Sequence, residues 1–197
     1  MISTQQRFGI ALLLLGMTSS VWAHSDAAGM SGGFFSGFTH PLFGWDHVAA
    51  MVAVGLWGAF LGRPAIWMLP VVFPVVMAFG GVLGIAGIPL PAVETGIALS
   101  ALVLGLMVVL AVRPPLWVAA VLVGAFAIFH GHAHGTELPD AASPLAYSLG
   151  FVMATGLLHL SGIAFGELTR WPWGSSAVRA GGAIISLAGV GFLTGLL

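Results

Sequence analysis

Residues 116–135 read LWVAAVLVGAFAIFHGHAHG. The stretch contains no Asp, Glu, Lys or Arg. It matches the roughly 20 residues that an α-helix needs to cross about 30 Å of hydrocarbon. A barrel strand would be shorter and would alternate apolar with polar side chains, so a helix is predicted. The run closes on three histidines at every second position: His130, His132 and His134.

Working outward, five more long apolar segments appear, at 36–62, 65–87, 93–112, 144–168 and 178–197. The breaks carry helix-ending residues: Arg63-Pro64, Pro89-Leu90-Pro91, Arg113-Pro114-Pro115, Pro139-Asp140 and Trp171-Pro172-Trp173-Gly174. Trp45, Trp57, Trp67, Trp117, Trp171 and Trp173 mostly fall near segment ends, as an interfacial aromatic belt would place them. The expected fold is all-α, a polytopic membrane protein with six transmembrane helices. Composition agrees. Of 197 residues 59% are hydrophobic and 6% charged, with a mean hydropathy of +1.08; a soluble domain carries roughly 25% charged residues. The 29 glycines suit close helix–helix approach in a bilayer.

The first 23 residues read as a signal peptide: Arg7 is the positive region, 8–16 the short apolar core, and Val21 and Ala23 the small residues before the cut. An uncleaved signal anchor is the alternative. A single membrane domain at 24–197 would follow, with its mature N-terminus periplasmic in a bacterial inner membrane. The loops after the first, third and fifth segments then hold all four remaining arginines, Arg63, Arg113, Arg170 and Arg179, as the positive-inside rule requires of cytoplasmic loops.

Several function classes fall away. A net charge of -1 and the absence of lysine argue against nucleic acid. The absence of cysteine excludes disulfides, iron–sulfur clusters and thiolate metal sites. There is no G-x-x-x-x-G-K-[ST] motif for ATP. No cofactor is expected.

An ionisable group inside a bilayer costs several kcal/mol unless paired, hydrated or metal-bound. Here such groups gather in three places: His40 with Asp46 and His47, then Glu94, then His130 through Glu137. On the topology above all three lie toward the periplasmic side. His130 and His134 are i,i+4 and His134 and Glu137 are i,i+3, which puts each pair on one helix face with Cβ atoms about 5–6 Å apart. His132 faces the other way and is the weaker candidate. His40 and His47 share a face, but seven residues at 1.5 Å rise separate them by about 10.5 Å. Either they are two stations, or Pro41 and Gly44 break the helix; Pro41 suits a helix start, which would leave His40 in an entry loop. Imidazoles and carboxylates without thiolates suit nickel, cobalt, zinc or copper(II).

Other residues are weighed against plainer roles. Met51, one turn from His47, fits packing. His159 fits a helix–helix hydrogen bond or a path residue. Glu167 fits an ion pair with Arg170 or Arg179, or an exit relay. His24 would, after cleavage, offer an α-amine and an imidazole as a compact chelate for periplasmic metal.

Residues 40–57, with His40-Pro41, Asp46-His47 and Ala50-Met51 through Trp57, together with Phe129-His130-Gly131-His132-Ala133-His134-Gly135-Thr136-Glu137, resemble the HupE/UreJ family of nickel permeases. The first motif is also similar to the His-x4-Asp-His signature of broader nickel/cobalt transporters, with a five-residue spacer here. The resemblance covers the whole mature chain and implies metal-binding roles for His40, Asp46, His47, Glu94, His134 and Glu137. It also implies a role for Phe73, which spacing does not suggest. The expected function is a permease, not an enzyme, taking Ni2+, or Co2+, with Zn2+ behind them, from periplasm to cytoplasm to supply hydrogenase or urease maturation. A homo-oligomer is left open. The competing readings are a membrane metalloenzyme with a His-bound zinc, although Gly131 stands where H-E-x-x-H has its glutamate, and a metal-sensing accessory protein. Because imidazole binds metal only when neutral, uptake should weaken as external pH falls through about 6.5.

Overall fold

The computed structural model describes residues 30–137 and 143–197. The leader at 1–23 and His24 lie outside them. Among the described residues there are seven α-helices and no strand: α1 Met30–Phe43, α2 Trp45–Leu61, α3 Ala65–Ile85, α4 Val93–Val109, α5 Leu116–Thr136, α6 Pro144–Gly166 and α7 Gly174–Thr194. A 3-10 turn, Glu167–Arg170, prolongs α6.

Local chemistry sets the boundaries. Ser143 caps α6 by accepting the Ala146 N–H at 3.4 Å, with Pro144 in the first turn, where its missing donor costs nothing. Gly62 at φ 82° ends α2 and Gly195 at φ 69° ends α7, a backbone region that glycine enters without strain. The first apolar segment takes the broken form, one of the two alternatives its sequence offers. It is two helices, Gly33–Phe43 and Trp45–Leu61, bent by 79° at Gly44. Pro41 lies inside α1 and does not start a helix, so His40 belongs to the last helical turn and not to an entry loop. α3, α5, α6 with its 3-10 extension, and α7 are long and apolar enough to cross a membrane; the bent α1–α2 pair adds a fifth, broken candidate. α4 has 17 residues, at the short end of the spanning range.

α2 is the central helix and touches α1, α3, α4, α6 and α7. Met51, Ala53, Val54, Leu56 and Trp57 on it are fully buried. Around it α3 lies along α5, α4 along α7, and α1 along α6. The outer surface is apolar instead. On α3, Val71, Val75, Phe79 and Val82 recur at helical spacing and are all more than half exposed, a stripe that suits hydrocarbon.

Two helix pairs approach so closely that only hydrogen fits between them. A Cβ on Gly131 of α5 would fall on the Met77 carbonyl oxygen of α3, and one on Gly135 on that of Gly81. Across α2 and α6, a Cβ on Gly55 would strike the His159 carbonyl and one on Gly162 the Val52 carbonyl. Dispersion and backbone contact drive such packing in lipid, where helices gain little from burying apolar surface.

Arg63 and Arg113 lie in the loops after α2 and α4 and Arg170 ends the 3-10 turn after α6, but Arg179, expected in that loop, lies in the second turn of α7 at the same end. Arg113 stacks over the Phe60 ring at 4.6 Å, Arg179 Nε donates to the Val109 carbonyl at 2.8 Å, and Arg170 pairs with Glu167. The indole N–H of Trp57 bonds the Val112 carbonyl at 3.2 Å, tying α2 to the same end.

Gly131→Ala should therefore destabilise the folded protein by about 1–3 kcal/mol through overpacking. Gly156→Ala, at a position with nothing within 4 Å of the added carbon, should be neutral or stabilising by up to about 1 kcal/mol from helix propensity. Thermal melts of both variants in detergent check the pair. Equal melting temperatures would show that the α3–α5 contact is looser than described.

Candidate metal centre

The 79° bend at Gly44 is what assembles the site. On a straight helix His40 and His47 could not reach one ion. Here the bend folds α1 back over the start of α2, and their ring centroids come to 5.9 Å. Gly44 itself is packed against His47 and Asp46, where an added Cβ would sit 3.0 Å from His47 Nδ1. His134, from the last turns of α5, closes the group, with its ring 4.9 Å from that of His40 and 4.6 Å from that of His47. One ligand atom from each of His40, His47 and His134 can be chosen so that all lie within 4.8 Å of one another. Two nitrogens each about 2.1 Å from a metal lie at most about 4.2 Å apart. Small ring rotations would close that gap.

Each buried ring except that of His134 is held by one nitrogen and bare at the other. Asp46 Oδ1 accepts from His47 Nδ1 at 2.7 Å and from the His47 backbone N–H at 2.8 Å. This fixes His47 with its proton on Nδ1 and its lone pair on Nε2, the carboxylate–histidine arrangement common behind metal ions. The fully buried Ser100 donates its hydroxyl to the Ile97 carbonyl at 2.5 Å. Its oxygen can then only accept from His130 Nε2, 3.0 Å away. His130 is therefore protonated at Nε2, and its lone pair is on Nδ1. Its ring lies 5.0 Å from that of His47. Among the described residues, His47 Nε2, His130 Nδ1 and both ring nitrogens of His134 are buried without a hydrogen-bond partner.

The carboxylates take a different place. Asp46, Glu94 and Glu137 line a cavity of about 400 Å³ together with His40 and His47. Glu94 and Glu137 are exposed at its edge and outside the three-histidine group. Glu137 caps the end of α5, its N–H still bonded to the Ala133 carbonyl at 3.0 Å, so its backbone keeps the i,i+3 relation to His134 while its side chain is exposed. His132 turns away, as its spacing implies, and donates Nε2–H to the Ile88 carbonyl at 2.7 Å. Met51 packs in the apolar core, and its carbonyl accepts from His159 Nδ1 at 2.8 Å. Glu167 is spent on Arg170 at the opposite end. Phe73, fully buried on α3, places its ring 5.4 Å from His130 and 5.5 Å from His159. Ser100 was not singled out in the sequence. A lone serine in an apolar helix carries no spacing signal, and only its burial opposite His130 reveals it.

A family model described as "HupE / UreJ protein" matches residues 12–192. The chain belongs to the HupE/UreJ family. It is also 46% identical over 173 residues to Protein HupE of Rhizobium leguminosarum bv. viciae, covering 88% of this chain and 91% of that one. No solved structure matches it. The HupE/UreJ match runs through every element that builds the centre, from α1 to α6, so the bend at Gly44 and the histidine group lie inside the matched region.

The role given to Ser100 has a direct consequence. Ser100→Ala should leave the His130 Nε2–H buried and unsatisfied and cost about 1–3 kcal/mol, against less than about 0.5 kcal/mol for Glu167→Gln, an i,i+3 pair with a largely exposed arginine. Comparing the two melting temperatures in one detergent tests it. A silent Ser100→Ala would mean that the ring is held by something else.

Proposed function

We propose that this HupE/UreJ protein is a permease for a divalent transition metal, with Ni2+ as first substrate and Co2+ next, moving it from periplasm to cytoplasm for nickel-enzyme maturation. One observation carries the reading: three histidines, His40 and His47 from the two sides of a helix break and His134 from nearly ninety residues on, meet in a largely apolar protein, and His47 and His134 bring buried nitrogens without a partner. A buried imidazole lone pair without a partner is costly, and a borderline cation is the partner that suits an all-imidazole group. The carboxylates lining the cavity would draw the ion in and replace part of its water. The HupE/UreJ membership supports the same reading.

The six-span topology belongs to this proposal. The bent α1–α2 pair counts as the first crossing and the short α4 as the third. The arginine-bearing loops then share the cytoplasmic end, and the histidine group opens toward the periplasm. The signal peptide at 1–23 and a capture role for His24 fit that orientation. Nothing in the reading requires catalysis by the chain.

Radioactive nickel uptake by cells expressing the protein tests this. Asp46→Asn keeps the shape beside His47 but removes the charge that orients it, and should weaken metal capture about 10–100-fold. His134→Ala should do at least as much. Uptake by the parent no greater than by empty-vector cells sinks the permease. Unchanged uptake in both variants would detach this centre from transport.

A further inference from the structure

Two buried polar atoms lie deeper than the histidine group and are used by nothing described so far. His159, 2% exposed on α6, donates Nδ1–H to the Met51 carbonyl at 2.8 Å. A carbonyl only accepts, so the ring's lone pair must be on Nε2. That atom is buried and has no partner among the described residues. One turn earlier on the same face is Thr155, fully buried, with Oγ1 also unpartnered. This is unlike its neighbours in kind: Thr39, Thr136, Thr169 and Thr194 each return their hydroxyl to a carbonyl three or four residues back, the usual recourse of a helical threonine. A hydroxyl left bare in an apolar interior costs about 1–3 kcal/mol.

The same face of α6 leads to this place from the outer group. Tyr147, Phe151, Thr155 and His159 recur every fourth residue. The Tyr147 ring is 6.2 Å from that of His40, and the Phe151 ring 4.2 Å from that of His134. The Phe73 ring neighbours both places: its centroid lies 5.4 Å from that of His130, itself 5.0 Å from His47 of the outer group, and 5.5 Å from that of His159.

We propose that His159 Nε2 and Thr155 Oγ1 form an inner metal station, separated from the outer histidine group by the Phe73 ring, which a divalent cation occupies after passing that ring. The inference rests on the permease reading and extends it. An imidazole one turn from a hydroxyl on one helix face puts the two Cβ atoms about 5–6 Å apart, close enough for both to reach one ion. Two protein ligands, one of them a neutral oxygen, hold a cation less firmly than three imidazoles. That suits a station from which the ion must leave. Phe73 offers no lone pair, so an ion can rest on either side of it but not beside it.

Two substitutions separate ligation from packing. Asn carries a donor where His has Nδ1 and nothing where it has Nε2, so His159→Asn keeps the bond to the Met51 carbonyl and removes the ligand. Thr155→Val keeps the shape and removes a hydroxyl that bonds nothing, so its melting temperature should not fall. Both variants should lower the maximal rate of nickel uptake about tenfold while leaving the half-saturating nickel concentration within about twofold of the parent, because capture at the outer group is intact. In equilibrium dialysis of the purified full chain against nickel, His159→Asn should bind roughly half as much metal as the parent. The proposal requires both the rate loss and the binding loss. Unchanged rate, or unchanged binding, overturns the inner station while parental uptake leaves the permease standing. A parent that takes up no nickel removes the permease itself and the path on which the station is placed.

Discussion

A neutral imidazole in an apolar interior has one N–H and one lone pair to satisfy, and this protein treats the two unequally. The N–H of His47 goes to Asp46, that of His130 to Ser100, that of His132 to the Ile88 carbonyl and that of His159 to the Met51 carbonyl. In each case the other nitrogen is buried without a partner. A ring held only for packing would gain from having both ends satisfied. Pinning one end and baring the other fixes the tautomer and aims a lone pair, which is how a ligand is prepared. His134 is the extreme case, bare at both nitrogens and packed edge-on or tilted among His40, His47 and Phe151.

That preparation would be useless if the helices stood further apart. The bare atoms converge because α1 is folded over α2 at Gly44 and because α3–α5 and α2–α6 touch backbone to backbone. Gly55 and Gly162 bring α6 close enough to α2 for His159 to reach the Met51 carbonyl, which a side chain at either glycine would prevent. Gly131 and Gly135 set the approach of α3 to α5 on either side of His132 and His134. The glycine content and the histidine convergence are thus one feature: small residues supply the proximity that turns distant histidines into a group.

Much of this was legible in the residues, and the failures are local. Segment length and hydropathy located α3, α5 and α6 within a few residues, since a continuous apolar run has few alternatives. The i,i+4 rule put His130 and His134 on one face and His132 on the other, and both hold. Pro41 misled. A proline favours a first turn, yet here it lies inside α1, and the break falls at Gly44, the other residue the sequence offered for it. Hydropathy alone does not mark the bend, because Phe43 and Trp45 on its flanks are apolar. Glu137 lines one cavity with His40, Asp46, His47 and Glu94 but is exposed and outside the three-histidine group, a difference of depth that spacing along α5 does not carry. Phe73 was named by resemblance alone; its position between two histidine rings is a three-dimensional fact with no periodic signature.

The ordering of ligand types along the molecule has a physical logic under the permease reading. Carboxylates line the outer cavity, where Glu94 and Glu137 are exposed and full charges remain hydrated. They attract a dication at long range without binding it dry. The next atoms inward are neutral nitrogens, which can be buried at far lower cost than a carboxylate and which discriminate by softness where charge cannot. Deepest are one nitrogen and one hydroxyl oxygen. Net negative charge falls from the outer cavity inward, and ligand count falls from the three imidazoles to the inner pair, so an ion drawn in by charge would be held by progressively less. The arginines at the far end do not reverse this. Arg170 is paired with Glu167, Arg179 donates to a backbone carbonyl and Arg113 lies over Phe60, so three of the four are engaged locally at that end.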